Sequence, residues 1–509
     1  MTAPTTEKDA VVCAEEPPDT GARHKLTAVT GLAALSLDAM ASVAYGPEAV
    51  VLVLAAAGGH GLGFTVPVTL AIAGLLAVLV ASYRQVIAAF PEGGGSYAVA
   101  RTHLGRRTSL VAAASLVLDY VLNVAVAVTA GVAALTSAFP GLYGDRLWIC
   151  LAVLVLITAV NLRGIVDSAR AFIVPTAVFV GAILVLIVVG LFRDAPVSTE
   201  ASVGHASVLA DNATTVGALL LLKAFASGCS ALTGVEAIAN AVPSFRAPAA
   251  RRAMRAEVAL GVLLGVMLIG LSVLISRFGL QPVEGVTVLA QLADASLGHE
   301  WAFYVVQFAT MVLLALSANT SFGGLPVLLK LLARDDYVPH VFGLKADRQV
   351  HRHGVVWLAG VSALLLVFSG GDTNTLVPLF AIGVFVGFTI AQTGMVLHWR
   401  ATRQWAKAAL NGLGALLTGV SAVVVTAAKF HDGAWLILIA LPLFVALSRA
   451  RAVAYDANAD ESRYLLDPSR RAAYEQSFLE KSQQLYGIVD RSPARYRRAV
   501  RRRSSTAAR

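Results

Sequence analysis

The chain has 509 residues and a formal net charge of +9; it is 57% hydrophobic and only 14% charged. Soluble domains carry about 25% charged residues, so most of this chain does not face water. The apolar residues fall in charge-free blocks of about 20, the length that crosses a bilayer core of about 30 Å, which argues against a soluble enzyme with a large core.

The first two dozen residues are polar, with Glu15, Glu16, Pro17 and Pro18, and lack the apolar stretch of a cleavable signal, so the first helix is expected to direct insertion. Hydropathy predicts twelve helices, over 27–58, 64–89, 108–138, 147–162, 171–192, 215–241, 256–276, 300–330, 354–369, 374–398, 409–428 and 433–448. Several exceed one crossing, so tilts, breaks or extensions into water are expected.

Basic residues cluster in alternate loops: Arg84 with Arg101, Arg106 and Arg107; Arg163 with Arg170; Arg246 with Arg251, Arg252 and Arg255; Lys330, Arg334, Lys345, Arg348 and Arg352; Arg400, Arg403 and Lys407. The other loops hold little beyond Arg146, Arg193, Arg277 and Lys429. This bias of roughly five to one assigns the rich side and both termini to the cytoplasm. The chain divides into a cytoplasmic tail over 1–25, a transmembrane transporter domain over 26–448 and a basic cytoplasmic tail over 449–509. The second tail ends in a basic run, Arg495 to Arg503, read as attraction to anionic lipid rather than to nucleic acid. A short helix near 468–486 is expected within it. Cys13, Cys150 and Cys229 form no paired framework or metal spacing and are expected to be free thiols.

Ionisable residues at membrane depth cost about 2.5–3.5 kcal/mol each on insertion scales, so they mark candidate sites. Asp38 and Glu48 lie in the first helix around Gly46-Pro47, which is expected to break it, because the ring of Pro47 clashes with the carbonyl of Val43. Tyr45 sits beside that break. The sixth helix is interrupted at Gly228 to Glu236, where Ser230, Thr233 and Gly234 weaken it and Thr233 offers a hydroxyl. Breaks five helices apart predict two inverted five-helix repeats with a site at their interface. On the third helix, Asp119, Asn123 and Ala127 share one face by their spacing of four. Asp119 and Asn123 could supply oxygens to an ion, although a lone Asn is more often a helix–helix bond. Lys223 is either a counter-ion or a snorkelling side chain. Glu48 reads as a gate residue near the outer mouth. Asp167 and Arg170 read as a local pair at a cytoplasmic turn. Gly93-Gly94-Gly95, with no strand before it, reads as a flexible or close-packing turn rather than a phosphate cradle. No metalloprotease, hydrolase or nucleotide-binding motif is present, so no enzyme is expected, and transport would draw on ion or substrate gradients.

Four stretches are similar to the amino acid–polyamine–organocation (APC) superfamily: Tyr83 to Tyr97 (YRQVIAAFPEGGGSY), Asn161 to Ala169 (NLRGIVDSA), Ala231 to Asn240 (ALTGVEAIAN) and Lys429 to Trp435 (KFHDGAW). The stretches Asp38 to Glu48, Ala318 to Pro326 and Gln392 to Trp399 resemble its KimA-type potassium-importer branch. The resemblance implies an all-α membrane protein with the LeuT-like 5+5 inverted-repeat fold plus two C-terminal helices. It also implies proton-coupled potassium uptake, with Asp38, Tyr45, Asp119, Thr233 and Glu236 at positions that branch uses. Asn123, Ala127 and Phe380 depart from it: the first two replace hydroxyl residues and Phe380 replaces a tyrosine. The tail is shorter than that branch carries, which leaves a homodimer open.

Three functions are weighed. The first is proton-coupled import of a monovalent cation, potassium, across the cytoplasmic membrane. Asp38, Asp119 and Thr233 are its metal-ion candidates, Tyr45 adds an oxygen and Glu236 takes the proton, since burial disfavours a charged carboxyl. Phe380 joins Glu48 and Lys223 as a gate or counter-ion candidate. No cofactor is implied beyond the transported ion and protons. The second is an amino acid or amine permease on the same fold, which the missing hydroxyls at Ala127 and Phe380 would suit. The third, a non-transporting membrane sensor, is opposed by the intact membrane carboxylates.

Overall fold

The computed structural model describes residues 25–93, 95–163, 171–203, 205–209, 216–343, 352–466 and 470–489. Lipid offers the backbone no hydrogen bonds, so an apolar chain must pair its own peptide groups, and the helix does this within each segment. Among the described residues there are only helices, turns and isolated bridges. Among the described residues, twelve helices are long and apolar enough to cross a membrane: Leu37–Leu62, Thr65–Ala89, Arg106–Ala138, Pro140–Leu162, Ile173–Leu191, Ala218–Asn240, Ala249–Phe278, Trp301–Arg334, Arg352–Ser369, Thr373–Ala401, Trp405–Ala428 and Trp435–Tyr464. They are called spans one to twelve below. The protein is a multi-pass membrane protein.

The packing carries an internal repeat. Span one packs against span six, two against seven, three against eight and four against nine. Five crossings reverse a helix's direction, so each pair matches oppositely oriented elements. This is the 5+5 inverted-repeat architecture, and spans eleven and twelve are the added pair. Spans one, three and ten are mostly buried and form the centre, whereas spans four, nine and twelve are the least buried. Large apolar residues are exposed there, among them Trp148, Val155, Leu156, Leu364 and Val367, as a lipid-facing surface requires.

Three features depart from the hydropathy reading. A helix at Gly95–His103 lies between spans two and three on the face that carries the arginine-rich loops, here the basic face. On the opposite face, Val288–Leu297 is too short to cross. The last span, expected to stop at 448, continues without a break to Leu466. Beyond 448 its sequence turns polar but stays free of glycine and proline, so nothing ends the helix. It packs against a further helix at Arg471–Val489, close to the expected 468–486. Asp460 joins the two, holding Lys481 at 2.5 Å and Ser477 at 2.7 Å.

Cys150 and Cys229 are buried free thiols. Gly93 and Gly95 have positive φ, and a Cβ on Gly93 would stand 2.7 Å from the carbonyl oxygen of Asn240, so this turn is a close-packing one. Cys13, Gly94, Asp167, Arg170, Lys345, Arg348 and the run from Arg495 to Arg503 lie outside the described residues.

Candidate functional site

Both expected breaks are present, and they touch. In span one the α-helix gives way to a 3-10 turn at Ser42–Ala44 and resumes at Gly46. The break falls just before Pro47, at the residues whose carbonyls the ring displaces, while Pro47 occupies the first turn of the resumed helix, where a missing N–H is harmless. In span six the α-helix ends at Gly228, a 3-10 turn covers Cys229–Leu232, and Thr233 is extended at ψ 154°. Gly234 follows at φ +75°, a conformation suited to glycine, and the helix restarts at Ala237. The Ser42 hydroxyl lies 2.7 Å from the carbonyl oxygens of both Ala39 and Ala231, so it ties one break to the other. A Cβ on Gly46 would stand 2.5 Å from that of Ala231, and one on Gly234 would stand 2.7 Å from the Ala39 nitrogen.

Three carboxyls surround this crossing, Asp38 and Glu236 buried and Asp119 half-buried. Asp38 accepts a 3.4 Å hydrogen bond from the Ser317 hydroxyl of span eight. Glu236, at the restart of span six, accepts a 3.2 Å hydrogen bond from the Tyr83 hydroxyl of span two, with Ser96 beside it. Asp119 of span three keeps Oδ1 buried without a hydrogen-bond partner and interacts electrostatically with both other carboxyls. Asp119 and Glu236 line one small cavity with Ser115, Gly234, Gly383 and Phe388. The hydroxyls of Tyr45 and Thr233 are buried next to each other, neither in a well-formed hydrogen bond. The carboxyls do not share one point: among the described residues, no three His, Cys, Asp or Glu side chains could hold a metal ion between them.

The remaining candidates are dispersed. Asn123 donates a 3.0 Å hydrogen bond to Ser321 of span eight, a helix–helix link. Ala127 and Phe380 are buried and present no oxygen. Glu48 is half-buried and accepts a 3.1 Å hydrogen bond from the Val288 N–H at the start of the short helix, where a carboxylate suits the helix dipole. Lys223 is half-buried and lines a wide cavity on the opposite face with Glu48, Ser227, Thr310, Asp372 and Asn374; its floor reaches Tyr45.

The basic face is tied across by polar links. Asp335 accepts from Tyr97 at 3.0 Å and from Arg101 at 2.6 Å, and Arg106 donates to Tyr337 at 2.5 Å. The segment before span one joins in: Leu26 N–H reaches the Ser244 carbonyl at 2.8 Å, and Arg246 N–H returns to the Leu26 carbonyl at 2.9 Å. The Tyr97 hydroxyl holds its proton above the ordinary tyrosine range, through burial first and the Asp335 charge second.

The amino acid permease family model matches residues 29–448, which takes in both helix breaks and the three carboxyls. The chain belongs to that family, within the APC superfamily. The potassium transporter KimA of Bacillus subtilis is 40% identical over 443 residues, covering 86% of this chain and 73% of that protein. The mitochondrial cationic amino acid transporter 3 of Arabidopsis thaliana is 24% identical over 351 residues, covering 64% of this chain and 55% of that protein. This permease is therefore a membrane transporter.

None of the three central carboxyls has a lysine or arginine partner among the described residues. Uncompensated charge in an apolar interior is expensive, so either protons or a cation must neutralise this centre. Sequence reasoning missed Tyr83, Ser96, Ser317 and Ser321, which hold or flank the candidate side chains. Their signal was weak, because a serine in an apolar helix usually bonds its own backbone. Tyr83 and Ser96 did lie within a stretch that carried the family likeness.

Proposed function

We propose that this permease imports potassium across the cytoplasmic membrane, coupled to protons, with the basic face and both termini in the cytoplasm. The observation that carries this reading is the set of uncompensated carboxyls, Asp38, Asp119 and Glu236, at two touching helix breaks. A cation is the ligand such a centre can pay for, since it supplies the missing positive charge. The 40% identity to a potassium transporter supports potassium as that cation.

Asp38 would bind the ion with the hydroxyls of Tyr45 and Thr233 and the carbonyls freed by the breaks. Asp119 would serve a second position across the small cavity. Glu236, held by Tyr83, would exchange the proton. The wide cavity that ends at Tyr45 would be the outer approach, with Glu48 and Lys223 along it. The ties through Asp335, Tyr337 and Leu26 would close the inner side in this state.

A second reading, an amino acid or amine permease, draws on Ala127 and Phe380, which offer no oxygen where a fully hydrated or polar ion path would want one. The two separate in proteoliposomes. Potassium uptake driven by an inward proton gradient, abolished by Asp38→Asn, is the expected result; Glu236→Gln should remove its pH dependence. Absent potassium uptake by folded protein, with uptake of a labelled amino acid instead, would overturn the first reading in favour of the second.

A further inference from the structure

Span seven carries a carboxyl that the proposed transport centre does not use. Glu257 has no solvent exposure, and both of its carboxyl oxygens are buried without a hydrogen-bond partner. It lies eight residues into Ala249–Phe278 from the basic face, a depth of about 12 Å at 1.5 Å per residue. The register against span two fixes its neighbours. A Cβ on Gly261 would meet Val80 at 2.5 Å and one on Gly265 would meet Leu76 at 3.8 Å, so Glu257 stands level with Tyr83 and Arg84. Arg84 is exposed, whereas Tyr83 is buried and interacts electrostatically with Glu257. The same Tyr83 hydroxyl donates to Glu236 at 3.2 Å.

Among the described residues, no charged side chain bonds Glu257. The helix Ala28–Leu35 and span five, both packed on span seven, contain no titratable residue. Span one, packed there, brings Asp38 and, in its resumed helix, Glu48, and the end of span six brings Glu236. On the same helix, Arg251 and Arg255 are exposed and Arg252 is half-buried nearer the face; none bonds Glu257. Asp294 belongs to the short helix at the far end of the span.

A buried carboxyl with no cation and no donor persists at lowest cost as a neutral acid. It is thus a place to keep a proton, and Tyr83 sets it beside the place where the transport proton is proposed to bind. We propose that Glu257 is the inner proton station of the transporter, exchanging a proton with Glu236 by way of Tyr83 and releasing it to the basic face. The step balances once the Tyr83 hydroxyl, which donates to Glu236 in this state, turns toward Glu257: the acid proton of Glu236 passes to the Tyr83 oxygen while Tyr83 gives its hydroxyl proton to the Glu257 carboxylate. Tyr83 ends unchanged, Glu236 ends as a carboxylate and Glu257 as an acid. This inference rests on the proton-coupled reading above.

The test uses full-length protein in liposomes with two readouts, potassium accumulation under an inward proton gradient and potassium counterflow without one. Glu257→Gln should lose accumulation about a hundredfold, the scale of a lost proton-transfer group, and keep counterflow within about twofold. Glu257→Asp should keep accumulation with a displaced pH midpoint. Wild-type accumulation and pH profile in Glu257→Gln would overturn the proposal, and so would parallel loss of counterflow in folded protein, which marks a structural role. If Glu257→Gln does not fold, Glu257→Asp decides, and an unchanged pH midpoint overturns the proposal. Wild-type protein that ignores the proton gradient yet shows potassium counterflow would instead sink the proton-coupled reading itself.

Discussion

Spans one and six are interrupted at the same depth, but by opposite means. Span one swaps a few residues of α-helix for a 3-10 turn, and every residue from Leu37 to Leu54 other than Tyr45 stays within a helix of one kind or the other. Span six leaves helical geometry altogether at Thr233 and Gly234. The difference is one of cause. In span one a proline displaces carbonyls and the chain adjusts around it. In span six no proline intervenes, and the break depends on a backbone conformation that glycine adopts freely and other residues do not. One interruption is tolerant of sequence change and the other is not, although they sit on matching elements of the two repeats.

Gly234→Ala should therefore do the most damage. Its φ of +75° is strained for alanine, and the added Cβ would fall 2.7 Å from the Ala39 nitrogen and 2.9 Å from Asp38 Oδ2. Strain of this kind costs about 1–3 kcal/mol before the clash is counted. Folded yield in detergent and ion uptake should both fall by more than tenfold, on the order of the upper end of that cost. Uptake within a few-fold of wild type would show that the break does not need its left-handed residue.

Ser42→Ala comes next, because its hydroxyl is the polar tie between the breaks. It should lower thermal stability by about 1 kcal/mol, the typical worth of such a hydrogen bond, and weaken uptake moderately. Pro47→Ala should do less, within about 1 kcal/mol, since the first turn of a helix accepts either residue. If Pro47→Ala proves as harmful as Gly234→Ala, the asymmetry between the two breaks is wrong. Size-exclusion profiles after graded heating give the stabilities, and the liposome assay gives the transport.

The asymmetry also sets what could be read from sequence. Asp38, Asp119 and Glu236 stood out because a charge inside an apolar block is costly and rare. The meeting of the breaks that carry Asp38 and Glu236 followed from their five-helix offset, whereas Asp119 was grouped with them by the family likeness. The twelve spans were legible for the same reason, since the length of an apolar block is a direct measure of crossing. What stayed hidden lacks such a signal. Gly95–His103 has an average hydropathy near neutral and ten-residue Val288–Leu297 is too short for a membrane window, so neither registers as a span. The overrun of span twelve to Leu466 is set by helix propensity and by the contact of Asp460 with Lys481, not by hydropathy. Asn123 could be read as an oxygen ligand or as a helix–helix bond, and its partner Ser321 needed a second helix to be seen.

The smallest expected effect lies at the basic face, away from both breaks. His103, at the end of Gly95–His103, has its Nε2 buried without a partner and its ring 5.1 Å from that of His398. Burial, and then the neighbouring histidine, lower its pKa below the ordinary 6.5. A histidine lowered in the fold is more readily protonated when unfolded, so acid favours the unfolded chain. Stability from this group is complete above about pH 6.5 and declines as pH falls through that value towards the lowered one. His103→Asn, which cannot titrate, should flatten the acid side of a thermal-stability profile between about pH 5 and 6.5 and leave uptake at pH 7 unchanged. An unaltered acid slope would place that pH sensitivity elsewhere, and altered uptake at pH 7 would mean that the basic face does more than hold the helices together.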